Sequence, residues 1–175
     1  MARFSSKNLP KTTPKHYKLS EHFSKRDFVC RCGKCDSAIK ISLGLLGGLE
    51  FLRSKSRARV QIVKGYQCPE SAENSGKIKR NYHTMGVAAD VTLEKKTLEE
   101  TFLIAETIPE FLGLGLDLKH GHVHMDTRKD KARSLWVVTH AGENIPLSDE
   151  NRATYLPPQL VEPVENSSEA ASSAA

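Results

Sequence analysis

Ile39, Leu43, Leu46, Leu49 and Leu52 recur every three or four positions, the period of one face of an α-helix. Asp36 or Ser37 stands ahead of this stripe as a cap, so the pattern predicts a helix running to about Ser54. Gly44, Gly47 and Gly48 weaken it locally and permit close packing. Val60-Gln61-Ile62-Val63 reads as a short strand, and a long polar loop follows from Lys64 to Tyr82. Val87 to Leu93 reads as a strand buried at Ala88 and Val91. Thr97 and Glu100 form a capping box for a helix to about Ile108, where Pro109 stops it. Leu114 with Leu116 suggests a strand, His122 to Asp126 another, and Trp136-Val137-Val138-Thr139 the last. Helices and strands mix without a regular βαβ rhythm, which predicts an α+β fold.

The chain has 175 residues, 38% hydrophobic and 27% charged, enough for one globular domain with flexible ends. Residues 1–16 hold Pro10, Pro14 and scattered Ser, Thr and Lys, and read as a disordered basic arm. Residues 157–175 are rich in Ser, Ala and Glu and read as a disordered tail. The folded domain is expected over 17–156. Charge follows the same division. Residues 1–26 carry seven Lys/Arg against one Glu, within a net charge of +5 for the whole chain. Such an arm suits an anionic surface, but it lacks the interleaved aromatics of a nucleic-acid platform, so nucleic acid is not the expected partner. No apolar run approaches the roughly 20 residues of a membrane span. The opening Met-Ala-Arg-Phe-Ser-Ser-Lys has no apolar stretch behind it, so no secretory signal is read and the cytoplasm is the default location.

Candidate chemistry comes from the histidines. Of seven, three fall at positions 120, 122 and 124. Alternate residues of a strand share a face, so His122 and His124 point the same way. His83 stands seven residues before Asp90, with Gly86 between them to turn the chain back. Asp90 ends the small apolar run Val87-Ala88-Ala89, which looks like a buried strand carrying one charge inward. A buried carboxylate is costly without a partner, and a metal ion is one partner that removes the cost. Two histidines, one carboxylate and an open position make a known type of catalytic zinc site.

The surrounding residues carry a resemblance. Lys64-Gly65-Tyr66-Gln67-Cys68-Pro69, Asn74, Asn81-Tyr82-His83-Thr84-Met85-Gly86-Val87-Ala88-Ala89-Asp90 and His122-Val123-His124-Met125-Asp126-Thr127-Arg128 resemble the zinc D-Ala-D-Ala carboxypeptidases and related murein endopeptidases, in their short single-domain branch. Leu19-Ser20-Glu21-His22-Phe23 and Asp27-Phe28 are similar to that family's opening segment, so the resemblance covers roughly residues 19–136. It implies the small α+β domain shared with the Hedgehog signalling domain, with a mostly antiparallel sheet packed against helices. It implies His83, Asp90 and His124 as ligands of one catalytic Zn2+, and His122 as a group near the reacting carbonyl. Asp126 either orients His124 or pairs with Arg128. The implied reaction is hydrolysis of peptide bonds in peptidoglycan stem peptides or cross-links, reached only if the protein is released or exported by another route.

Two positions depart from the family pattern. The family's Gly-Tyr-Arg becomes Gly65-Tyr66-Gln67, and its acidic residue three before the last ligand becomes Gly121. Lys64 or Arg80 are candidates to replace the arginine, and Asp117 or His120 to replace the acid. These departures favour the alternative of a catalytically reduced zinc-binding module that recognises wall peptides or a protein partner. Cys30, Cys32, Cys35 and Cys68 complete the cysteine count. They suit a second, structural zinc, disulfides in an oxidising compartment, or free buried thiols.

Overall fold

The computed structural model describes residues 17–35, 38–130 and 132–156. The expected arm at 1–16, the tail at 157–175 and the caps Asp36 and Ser37 lie outside the described residues. In chain order the elements are α1 (Lys25–Phe28), α2 (Leu43–Ser56), β1 (Val60–Lys64), α3 (Pro69–Asn74), α4 (Tyr82–Met85), β2 (Ala88–Leu93), α5 (Leu98–Glu106), β3 (Gly113–Asp117), β4 (His122–Asp126), β5 (Ser134–Val138), β6 (Asn144–Pro146) and α6 (Asp149–Tyr155).

The strands form one six-stranded sheet in the order β1-β2-β4-β3-β5-β6. Every pairing is antiparallel except β3 with β5. The fold is α+β, as the sequence predicts. The alternation of side chains along each strand divides its residues between two faces. One face carries Ala89, Val91, Leu93, Leu114, Leu116, Val123, Met125 and Val137 into the apolar core, against Leu45, Leu49 and Leu52 of α2 and Phe102 and Ala105 of α5. The other carries Asp90, His122, His124, Asp126, Gly113, Gly115, Asp117 and Trp136, which register places side by side across four strands.

Helix α2 begins later than its leucine pattern suggests. Ser42 is the N-cap, accepting the Leu45 backbone N–H at 3.1 Å, and residues 38–42 are not helical. Its buried stripe is also rotated. Leu45, Leu46, Leu49 and Leu52 are buried, while Leu43 is 86% exposed. At about 3.6 residues per turn Leu43 falls on the side away from Leu45, and Leu49 sits nearer the stripe's centre. Helix α5 has the expected capping box, with Thr97 and Glu100 each accepting the other's backbone N–H at 3.1 and 2.7 Å.

Other departures lie outside the long periodic segments. The polar stretch from Lys64 to Tyr82 contains α3 and leads into α4, each too short to show a helical period. Trp136-Val137-Val138-Thr139 does not hold the last strand, because β6 pairs with β5 after it. Three residues such as Asn144-Ile145-Pro146 carry too little alternation to announce themselves.

Candidate metal centre

His83 lies on the short helix α4, whose N-cap Asn81 accepts the Thr84 N–H while Thr84 Oγ1 accepts the Asn81 N–H. Gly86 ends the helix at φ +74°, a left-handed conformation that glycine adopts without a steric penalty. A Cβ there would also meet the Lys40 carbonyl oxygen at 2.5 Å. The chain reverses at this glycine and enters β2, so His83 reaches Asp90 as the sequence anticipates.

The imidazoles are oriented from behind. His83 Nδ1 donates to the Gly65 carbonyl at 2.9 Å, leaving Nε2 free, 3.3 Å from Asp90 Oδ1. His124 has the opposite arrangement. Its Nε2 lies 3.1 Å from Asp126 Oδ2, and its Nδ1 faces Asp90 Oδ1 at 2.8 Å. Each ring thus turns one nitrogen to a fixed partner and the other to a common point. One ligand atom from each of His83, Asp90 and His124 falls within 4.8 Å of the other two. Donors bound to one zinc at about 2.0 Å stand roughly 3.3 Å apart, close to these spacings. The donor set fits zinc and leaves room for a fourth ligand.

Asp126 is fully buried behind His124. It also accepts from Arg128 Nε at 2.8 Å and Nη2 at 2.6 Å. The two sequence-level alternatives for Asp126 therefore coexist in one chain of contacts, Arg128 to Asp126 to His124. The Arg128 guanidinium is itself held by the Tyr82 ring, 4.5 Å from its centroid, and the Trp136 ring at 5.5 Å. Gly113 and Gly115 make space for these groups. A Cβ on Gly113 would collide with Asp126 and Arg128, and one on Gly115 with the Trp136 indole.

Ionisation follows these contacts. Burial alone would raise the Asp90 carboxyl, but hydrogen bonds from His124 and His83 hold it well below the usual carboxylate range. Burial disfavours the His124 cation, yet Asp126 and Asp90 outweigh it and raise the imidazole to about 9. Burial would likewise raise Asp126, but Arg128 and His124 bring it down to about 2. Without an ion the centre therefore carries a proton on His124, which a metal must displace.

An open groove of ≈ 510 Å³ exposes this centre at Asp90 and His122. His122 Nε2 lies 3.6 Å from both Asp90 and Asp117 carboxylates. Asp117 in turn accepts from the His120 backbone N–H at 2.9 Å and contacts His120 Nδ1 at 2.9 Å. Gly121 occupies the turn between β3 and β4 at φ +71°, with open space around it. Gln67 is buried, its amide nitrogen 3.4 and 3.2 Å from the Ser71 and Ser75 hydroxyls, so it is turned towards α3.

Several site residues carry no sequence signal of their own. Lys64 reaches the groove through a bulge. Ile62 pairs with Val91 but Lys64 with Asp90, leaving Val63 as the extra residue. The insertion moves Lys64 from the core side of β1 to the Asp90 side. Lys77 and Arg31 line the same groove. The single tryptophan, Trp136, packs 5.4 Å from His124, ring to ring. The Gly65 carbonyl is a backbone partner, invisible to any search for side-chain chemistry.

The four cysteines gather at one edge of the groove, their sulfurs also within 4.8 Å of one another and none in a disulfide. A backbone N–H from Lys34 brings the Cys32 thiol down to about 6. Burial, with the Cys32 sulfur beside it, pushes Cys35 up to about 12.

Two histidines, one buried and one half-buried, with a buried carboxylate, oriented from behind and beside an open groove, make the arrangement of a zinc hydrolase. The family model described as Peptidase M15 matches residues 21–126, more than half of the chain, and the chain belongs to that family of zinc carboxypeptidases and murein endopeptidases. It is in this general sense a zinc-dependent peptidase acting on peptide substrates. No curated protein and no solved structure matches it. Among the described residues no helix is long and apolar enough to cross a membrane.

Proposed function

We propose that this protein cleaves peptide bonds in peptidoglycan stem peptides or cross-links, with His83, Asp90 and His124 as ligands of the catalytic zinc. The observation that carries this reading is the convergence of those three donors beside an open groove that Asp90 lines together with Arg31, Lys64 and Lys77. When bound, zinc polarises the scissile carbonyl and lowers the pKa of water at the open position towards about 7.

The chain's own residues divide the remaining work. Lys64 lines the groove with Lys77, and burial together with the Lys77 charge lowers its pKa. Two ammonium groups that repel each other, with Lys64 partly stripped of its hydration, form a receptor for a carboxylate. This suits a peptide that ends in, or bears, a free carboxyl group, as stem peptides do. Lys64 and Lys77 thus take the part of the family's arginine, whose position Gln67 fills. His122, between Asp90 and Asp117, donates a hydrogen bond to the oxygen on which charge develops. Asp117, tied to His120 at the groove, moves the proton to the leaving amine, in place of the acid that Gly121 lacks.

Gly121 and Gln67 favour a second reading, a zinc-loaded module that binds such peptides without turnover. Digestion of cross-linked peptidoglycan, read by mass spectrometry with His124→Ala alongside, separates the two. Fragments from the wild type alone support the peptidase, and their masses name the bond. A zinc-loaded wild type that yields none, yet binds the peptides, supports the module.

A further inference from the structure

Cys30, Cys32 and Cys35 lie in the segment after α1, and Cys68 is the N-cap of α3, so four thiols meet from two stretches of chain. Cys32 Sγ lies 3.4 Å from Cys35 Sγ and 3.8 Å from Cys68 Sγ. Sulfurs that share a tetrahedral zinc at about 2.3 Å stand about 3.8 Å apart. A disulfide would require pairs at about 2.05 Å, whereas here each sulfur faces the other three. Cys32 and Cys35 have the two-residue spacing of a zinc knuckle, with Gly33 turning the chain between them at φ +72°.

A second observation concerns the backbone. Lys34 N–H points at Cys32 Sγ at 3.4 Å, Cys68 N–H at Cys30 Sγ at 3.3 Å and Ser71 N–H at Cys68 Sγ at 3.4 Å. Three of the four sulfurs therefore accept a main-chain N–H. Such bonds favour an anionic sulfur over a neutral one, and the thiolate is the form that binds metal.

We propose that Cys30, Cys32, Cys35 and Cys68 bind a structural zinc ion, separate from the His83–Asp90–His124 centre. Four protein thiolates fill its coordination shell, so this ion has no position for substrate and takes no part in hydrolysis. It ties the 30–35 segment to Cys68. Gly65, Tyr66 and Gln67 line the groove immediately before that cysteine, and the Gly65 carbonyl orients His83. The ion thereby fixes one wall of the groove.

The test is zinc content and metal-edge X-ray absorption, measured on the full chain and on a His83→Ala/His124→Ala variant. Two zinc ions per chain are expected in the wild type and one in the variant. The variant's remaining ion should have sulfur neighbours only, at about 2.3 Å. This readout needs no turnover, so it stands whether or not the protein is a peptidase. If the variant does not fold, cobalt substitution of the wild type serves, with intense thiolate-to-cobalt charge-transfer absorption expected. Overturning results are one zinc per wild-type chain with four thiols quickly alkylated in the folded protein, an intact mass short by the hydrogens of disulfides, or cobalt loading without thiolate bands.

Discussion

The two donor clusters of this protein both border one groove, through Asp90 and through Cys30 and Cys32, yet they are built differently. Asp90 and His124 face each other across paired strands of a sheet whose far side is the apolar core. His83 joins them from a four-residue helix held by a capping box and the Gly65 carbonyl. Their positions are fixed by hydrogen bonds and packing that exist without an ion. The cysteines instead lie in irregular backbone and at a helix cap, with their sulfurs held by one another and by three N–H groups. A site on strands is organised before the metal arrives. A site on loops is organised by its metal, and that metal's binding energy becomes folding energy.

The largest expected effect separates the clusters by stability. Cys32→Ser/Cys35→Ser should destabilise the fold by about 4 kcal/mol or more, the scale of losing a structural metal. His124→Ala should abolish turnover while leaving the sheet folded. Thermal melts of both, beside their zinc contents, check this, and equal Tm losses would break the contrast. Next in size is Asp126→Asn, which weakens the group behind His124. Zinc affinity at that centre should fall about 10- to 100-fold, with the cysteine-bound zinc unchanged, measured by chelator competition.

Lys64→Met should raise KM about tenfold for a carboxylate-bearing peptide and leave kcat nearly unchanged, the loss of one charged hydrogen bond. An equal effect on an amidated peptide would remove the lysine from carboxylate recognition. A separate effect is the pH response of the metal-free protein. The folded-state pKa of His124 is raised to about 9, so its stabilisation is complete below about 6.5, the unfolded value, and is lost as pH rises through 9. Tm of the metal-free wild type should fall over that interval more than that of His124→Gln. Zinc should bind more tightly as pH rises over the same range, because a proton leaves His124. A Tm difference that does not change with pH would mean that His124 is not held as a cation.

Much of the strand-borne site is legible along the chain because a strand converts spacing into facing. His122, His124 and Asp126 alternate, so they share a side wherever β4 is placed. The Thr97–Glu100 box locates α5 because both halves of the motif lie within four residues. Helix α2 is read about one and a half turns early, its cap being Ser42 rather than Asp36 or Ser37, and its buried side is misjudged because leucines alone do not say which side of the helix will meet Phe102 and Phe111. Lys64 is hidden by a bulge, since one extra residue reverses the face of everything after it. Trp136 and Arg128 flank His124 through contacts across strands that no local spacing encodes.

The sequence by itself determines which residue types are available for chemistry, where periodic segments begin and how the chain turns at Gly86, because these depend on neighbours a few bonds apart. It also carries the M15 motif, since His83 and Asp90 are joined by one short turn. Only the tertiary structure decides that Asp126 serves His124 and Arg128 together, that Lys64 faces the groove, and that four cysteines from two stretches share a single point. Those outcomes depend on strand order, register and loop closure, which the whole core sets through packing between residues far apart in the chain.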